Sequence, residues 1–233
     1  MTREVAYQNG ALGPGDSPGD VPRDGHPDAW DLTGLVARAR ALTRPGRRAL
    51  LGIAGAPGAG KSTLAGLLIE GLGPMAALVP MDGFHLAQVE LERLGRASRK
   101  GAPDTFDVHG YIALLDRLHH ELGETVYAPA FRRDLEEPIA GAIPVPPSVR
   151  LVVTEGNYLL DAAPPWDRLR ALLDEAWYVE LDEQVRLSRL VARHVAFGRS
   201  LDEARQWALV VDQPNAERVF QGRDRADVIV RSA

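Results

Sequence analysis

Gly55-Ala56-Pro57-Gly58-Ala59-Gly60-Lys61-Ser62, with Thr63 next, has the G-x-x-x-x-G-K-S spacing that lets a chain wrap around phosphate. Glycines allow successive backbone N–H groups to converge on phosphate oxygens, and the N-terminus of a following helix adds positive potential. In such a loop Lys61 reaches the β- and γ-phosphates of a nucleotide, and the Ser62 hydroxyl ligates Mg2+. The loop lies between an apolar run and a helical pattern, the context that this chemistry requires. ATP and Mg2+ are therefore the expected ligands.

Two carboxylates have matching positions. Asp82 lies in Met81-Asp82-Gly83-Phe84-His85 and Glu155 in Thr154-Glu155-Gly156, each just after an apolar run. Carboxylates at adjacent strand ends beside a phosphate loop suit phosphoryl transfer. One accepts the proton of an attacking hydroxyl while the other organises Mg2+. The residues alone leave the two roles exchangeable. Arg186, Arg189 and Arg193 recur at i, i+3 and i+7, so they share one helix face.

The acceptor side is expected around Arg99-Lys100, Phe106 and His85, with Tyr127, Phe131 and Arg132 on a polar-interrupted flap. Arg99 or Lys100 would meet a carboxylate or phosphate on the substrate. His119 and His120 lack metal-type partner spacing and read as surface residues.

Composition bounds the alternatives. A chain of 233 residues with net charge -5 is long enough for one α/β domain and lacks the basic excess of a nucleic-acid binder. Absence of cysteine removes disulfides, thiolate metal sites and cysteine nucleophiles, and fits a reducing cytoplasm. No apolar run approaches the roughly 18 residues of a bilayer span, so no membrane partner is expected. Neither an N-K-x-D guanine motif nor an L-S-G-G-Q transporter signature is present. A homodimer is compatible with the chain but is not encoded by any motif.

These groups need a scaffold. Residues 1–28 are dense in Gly, Pro and Asp and predict a disordered tail, with the folded domain over 29–233. Amphipathic spacing predicts a helix from Ala29 to about Thr43, and breaker-bounded apolar runs predict strands at 49–54, 75–81, 151–154, 176–181 and 227–230. Helices are expected at 61–72, 86–94, 111–122, 166–174, 183–197 and 201–220, with a break at Asp212-Gln213-Pro214-Asn215. Residues 125–146 predict the flap as a hairpin. Alternating strands and helices imply a mainly parallel five-stranded sheet in a three-layer α/β/α fold, with ligands beyond the strands' carboxyl ends.

MDGFH, KGAPDTFD, VVTEGN and RLSRLVAR, in this order after the phosphate loop, resemble the P-loop family of phosphoribulokinase, uridine kinase and type I pantothenate kinase. The resemblance runs from about Leu50 to Val230. It implies a P-loop fold with a helical lid, Asp82 as catalytic base and Glu155 as the acidic residue at the metal. It also implies that Lys61, Arg189 and Arg193 neutralise charge on the transferring phosphate. Leu190 stands where uridine kinase has a further arginine, and Gly101 where it has the aspartate that holds ribose. The expectation is an ATP-dependent kinase acting on a hydroxyl of a nucleoside, a sugar or a pantothenate-like alcohol. A nucleotide-binding regulator, or an ATPase without a phosphoryl acceptor, is the competing reading.

Overall fold

In chain order the structure forms α1 (Leu32–Ala41), β1 (Ala49–Gly55), α2 (Lys61–Leu72), β2 (Ala76–Leu78), α3 (Gln88–Arg93) and α4 (Val108–His120). There follow β3 (Val126–Arg132), β4 (Glu137–Val145), β5 (Leu151–Glu155), β6 (Glu175–Glu180) and α5 (Glu183–Ala196). The last elements are α6 (Leu201–Trp207), α7 (Gln213–Gln221) and β7 (Val228–Arg231). This computed structural model describes residues 30–231, and the expected tail over 1–28 lies outside them.

The main sheet has the order β2-β5-β1-β6-β7, and every pair in it is parallel. All seven residues of the central β1 are buried, as a strand covered on both faces requires. Side-chain alternation divides the core in two. Leu50, Val152, Ala176 and Tyr178 pack with α4, α7 and the turn of 3-10 helix at Trp166–Leu172. Ala49, Leu51, Ile53, Leu151, Val153, Trp177 and Val179 pack with α1 and α2 on the other face. The result is the three-layer α/β/α P-loop fold.

Some boundaries differ from expectation for local reasons. The first helix starts at Leu32 because the Asp31 side chain accepts from the Gly34 N–H at 2.9 Å and caps it. The expected strand at 75–81 is only three residues long and lies at the sheet edge. After Pro80 the chain turns into a 3-10 helix, Met81–Phe84, which carries Asp82. The segment at 166–174 is also 3-10 rather than α-helical. The expected helix break at Asp212–Asn215 is absent. A π-helical turn, Ala208–Asp212, carries α6 into α7, with Pro214 in the first turn of α7.

Outside the main sheet, β3 and β4 pair antiparallel as the expected flap, with an irregularity between Ala128 and Ala130. Its base rests on the Asp82 turn, where a Cβ on Gly83 would run into the Pro129 carbonyl. Its tip is tied down as well, because the Gln88 N–H at the start of α3 donates to both Glu137 carboxylate oxygens, at 3.0 and 3.2 Å. No helix among the described residues is long and apolar enough to cross a membrane.

Candidate active site

The phosphate loop leaves β1 and enters α2. Gly58 and Gly60 take φ of +82° and +97°, values that L side chains adopt only under strain. A Cβ on Gly58 would also stand 2.8 Å from Leu190 Cγ and 3.1 Å from the Arg186 carbonyl. The lid helix α5 therefore lies directly on the loop. Arg186, only 4% exposed, donates to the Pro57 carbonyl at 3.3 Å and to Gln213 Oε1 at 2.5 Å, stitching the loop to α5 and α7. Lys61 is buried, and its ammonium donates to the Ala56 carbonyl at 3.0 Å. Burial lowers its pKa to about 8, opposed by the negative charges of Glu155 and Asp82 and reinforced by Arg193 and Arg186.

Glu155 ends β5 and is buried, and its Oε1 accepts from Ser62 Oγ at 3.0 Å. Its pKa is raised by burial and by the Asp82 charge, against the pull of Lys61, the Ser62 hydrogen bond and Arg133. One residue earlier, the Thr154 hydroxyl donates to the Val79 carbonyl at 2.6 Å, so it must accept from the buried Tyr111 hydroxyl at 2.5 Å. This buried chain pins the exit of β2 to the end of β5. Asp82 consequently emerges beside Glu155, close enough that its charge acts on both Glu155 and Lys61.

Cations reach the same place from two sides. Arg193 of α5 is largely enclosed, so desolvation lowers its pKa; Arg133 lowers it further, while Asp212, Asp82 and Glu155 raise it. From the flap tip, Arg133 Nη2 approaches Asp82 Oδ2 to 3.8 Å. Arg189 is half-buried on α5, between Arg186 and Arg193.

On the acceptor side, His85 Nδ1 lies 2.8 Å from the Asp82 carbonyl, which can only accept. The proton is therefore on Nδ1, and Nε2 carries a lone pair. The ring packs 4.1 Å from Phe106 and 4.8 Å from Phe131, centroid to centroid, and burial lowers its pKa. Phe106 itself is buried against Tyr158 and Trp166.

The remaining expected acceptor residues already have protein partners. Arg99 is exposed and ion-paired with Asp104. Lys100 donates to the Glu136 carbonyl at 2.5 Å and covers the Phe131 ring, so it fastens the flap. Tyr127 lines a groove with Phe84, Leu114 and Ala140 on the α4 side of the flap, to which Lys61, Asp82 and Glu155 do not contribute. Arg132 pairs with Asp134. The sequence reading missed Arg133, whose only signal was its position next to Arg132.

Among the described residues no three His, Asp or Glu side chains converge to hold a metal by themselves. Ser62 Oγ and Glu155 Oε1 do present two hard oxygen donors beside the phosphate loop. This fits Mg2+, which takes one or two protein ligands together with substrate phosphates.

A phosphate loop after the central strand of a parallel sheet, with carboxylates at the neighbouring strand ends and an arginine helix above, defines a P-loop phosphotransferase. The chain is 33% identical over 212 residues to "Putative uridine kinase C227.14" of Schizosaccharomyces pombe, covering 87% of this chain and 85% of that protein. A shorter match, 33% identical over 118 residues, reaches the pantothenate kinase of Bacillus velezensis, covering 48% of this chain and 37% of that one. Among solved structures, the "putative fructose transport system kinase" of Silicibacter sp. TM1040 superposes with TM-score 0.79 at 39% identity, covering 85% of this chain and 98% of that one. No family model matches the chain. The chain belongs to the uridine kinase/pantothenate kinase-like family of P-loop kinases. It is an ATP-dependent phosphotransferase with an alcohol group as acceptor.

Proposed function

We propose that residues 29–233 form one kinase domain that transfers the γ-phosphate of ATP to a hydroxyl of a small polar metabolite, a sugar, a nucleoside or a pantothenate-like alcohol. Residues 55–63 bind the phosphates. Asp82 is the base: it is partly exposed beside the flap, where an acceptor enters, whereas Glu155 is buried against Ser62. Ser62 and Glu155 would hold Mg2+, which would supply charge neutralisation for the nucleotide phosphates. Lys61, Arg189 and Arg193 surround the γ-phosphate. His85 Nε2 offers an acceptor to a substrate hydroxyl, with Phe106 and Phe131 as walls. Gly101, where uridine kinase carries its ribose-binding aspartate, weighs against a uridine-type pocket.

The observation that carries the reading is the Ser62–Glu155 contact of 3.0 Å with Asp82 on the 3-10 turn that follows the adjoining strand. It separates one enclosed, metal-type carboxylate from one accessible, base-type carboxylate. The test is ADP release from ATP·Mg2+ against a panel of nucleosides, sugars, sugar phosphates and pantothenate, with Asp82→Asn alongside. Stimulation by one compound, lost in the variant, supports the reading. Hydrolysis at the same rate whatever is added would make the protein an ATPase and remove it.

A further inference from the structure

The phosphoryl site draws its cations from the P-loop and from the lid, both on the nucleotide side. Arg133 comes from the flap instead. It occupies the turn between β3 and β4, and its guanidinium reaches Asp82 Oδ2 at 3.8 Å. The turn is held in place for this. Lys100 donates to the Glu136 carbonyl and lies 3.7 Å from its carboxylate, while Glu137 is anchored on the start of α3. Glu136 takes a left-handed φ of +55°, a conformation that persists in a non-glycine residue only when its surroundings enforce it.

The Arg133–Asp82 pair is a poor structural ion pair. Its side chains are 53% and 37% exposed, and pairs this open contribute little to folding. Its position matters more. An acceptor oxygen within hydrogen-bond reach of Asp82 stands about 3–3.5 Å from the phosphorus it attacks. The transferring group then lies in the space that the Arg133 guanidinium borders. The Arg133 charge also acts on Glu155 and on Arg193.

We infer that Arg133 is a further catalytic residue, an arginine carried in by the flap to hold the transferring phosphoryl group. The inference rests on the kinase reading above. In the step itself the acceptor oxygen bonds to the γ-phosphorus, and the bond from that phosphorus to the bridging oxygen breaks. The electron pair stays on ADP, and the hydroxyl proton passes to Asp82. Protonation of Asp82 removes the anion that faces Arg133 in the free enzyme. The guanidinium is thereby released to the phosphoryl oxygens as charge moves through them.

The test does not require the acceptor to be known. Binding of Mg·ADP is measured by calorimetry with and without aluminium fluoride, a mimic of the transferring phosphoryl group, for wild type, Arg133→Gln and Arg133→Lys. Wild type should bind Mg·ADP about tenfold or more tighter with the fluoride. Arg133→Gln should lose most of that gain while binding Mg·ADP alone as wild type does, and Arg133→Lys should keep part of it. Equal tightening in wild type and Arg133→Gln, or none in wild type, would overturn the inference and leave the kinase reading standing. Weakened Mg·ADP binding or a lowered melting temperature in Arg133→Gln would overturn it in favour of a structural role. Failure of wild type to bind Mg·ADP would remove the nucleotide site and both readings with it.

Discussion

Ser62 Oγ donates to Glu155 Oε1 across 3.0 Å, joining the first turn of α2 to the end of β5. If these two oxygens hold Mg2+, Glu155→Gln raises the Mg2+ concentration for half-maximal activity by at least about tenfold. Asp82→Asn leaves that concentration in place. A Mg2+ titration of both variants decides it, and a shift confined to Asp82→Asn would exchange the two roles.

Asp82 as base predicts a loss confined to chemistry. Asp82→Asn should lower kcat by about 10²–10⁴-fold with ATP affinity within twofold of wild type. Lys61→Ala should abolish turnover. Nucleotide-dependent activity at the wild-type rate in Lys61→Ala would remove the phosphate-loop assignment.

Gly58 combines a left-handed backbone with contact from Leu190 and Arg186. Gly58→Ala should therefore push α5 off the loop and strain it by about 1–3 kcal/mol. ATP affinity should fall about tenfold, measured by calorimetry. Gly46, also left-handed but with open space around it, is the control: Gly46→Ala should leave ATP binding unchanged.

Arg48 is fully buried and donates to four carbonyls, those of Val149, Leu118, Glu121 and Pro146, at 2.9–3.1 Å. It thereby ties the end of α4 to the approach of β5. Arg48→Met would remove that guanidinium from all four carbonyls, of which Pro146 keeps the Val149 N–H, and should cost on the order of 3 kcal/mol in urea denaturation. Unchanged stability would show that water replaces the guanidinium.

Burial lowers the His85 pKa from its ordinary value of 6.5. Below 6.5 the unfolded chain takes up a proton that the folded protein still refuses. Stability therefore falls with acidification from 6.5 down to the depressed value, and rises with pH across the same window. His85→Phe, which keeps a ring between Phe106 and Phe131, should flatten that acid limb. Equal stability losses for wild type and variant between pH 7 and about pH 5.5 would rule this out.

The phosphate loop and the strand set are legible in the sequence because both are written in contiguous residues. Loop geometry follows from glycine spacing, and a strand buried on both faces shows as an apolar run, as in Ala49–Gly55. Elements whose identity depends on neighbours were less legible. The edge strand shortened to Ala76–Leu78, and the helix expected to break at Pro214 passed through it because a π turn accommodates the ring.

Side-chain direction at the mouth of the site was the least legible. Arg186, Arg189 and Arg193 share a face by spacing alone, yet only packing against Gly58 buries Arg186 in the loop. Between Arg132 and Arg133, alternation in the flap could not choose, since an irregularity between Ala128 and Ala130 resets it. Lys100 reads as a substrate cation in sequence, and its hold on the flap through the Glu136 carbonyl appears only in space. Phosphate chemistry was decided by short-range backbone sterics, which act within a few residues and survive in a linear text. Which cation faces Asp82 was decided by strand order and a local register shift, long-range facts that exist only once β2 lies against β5 and the flap is pinned to α3.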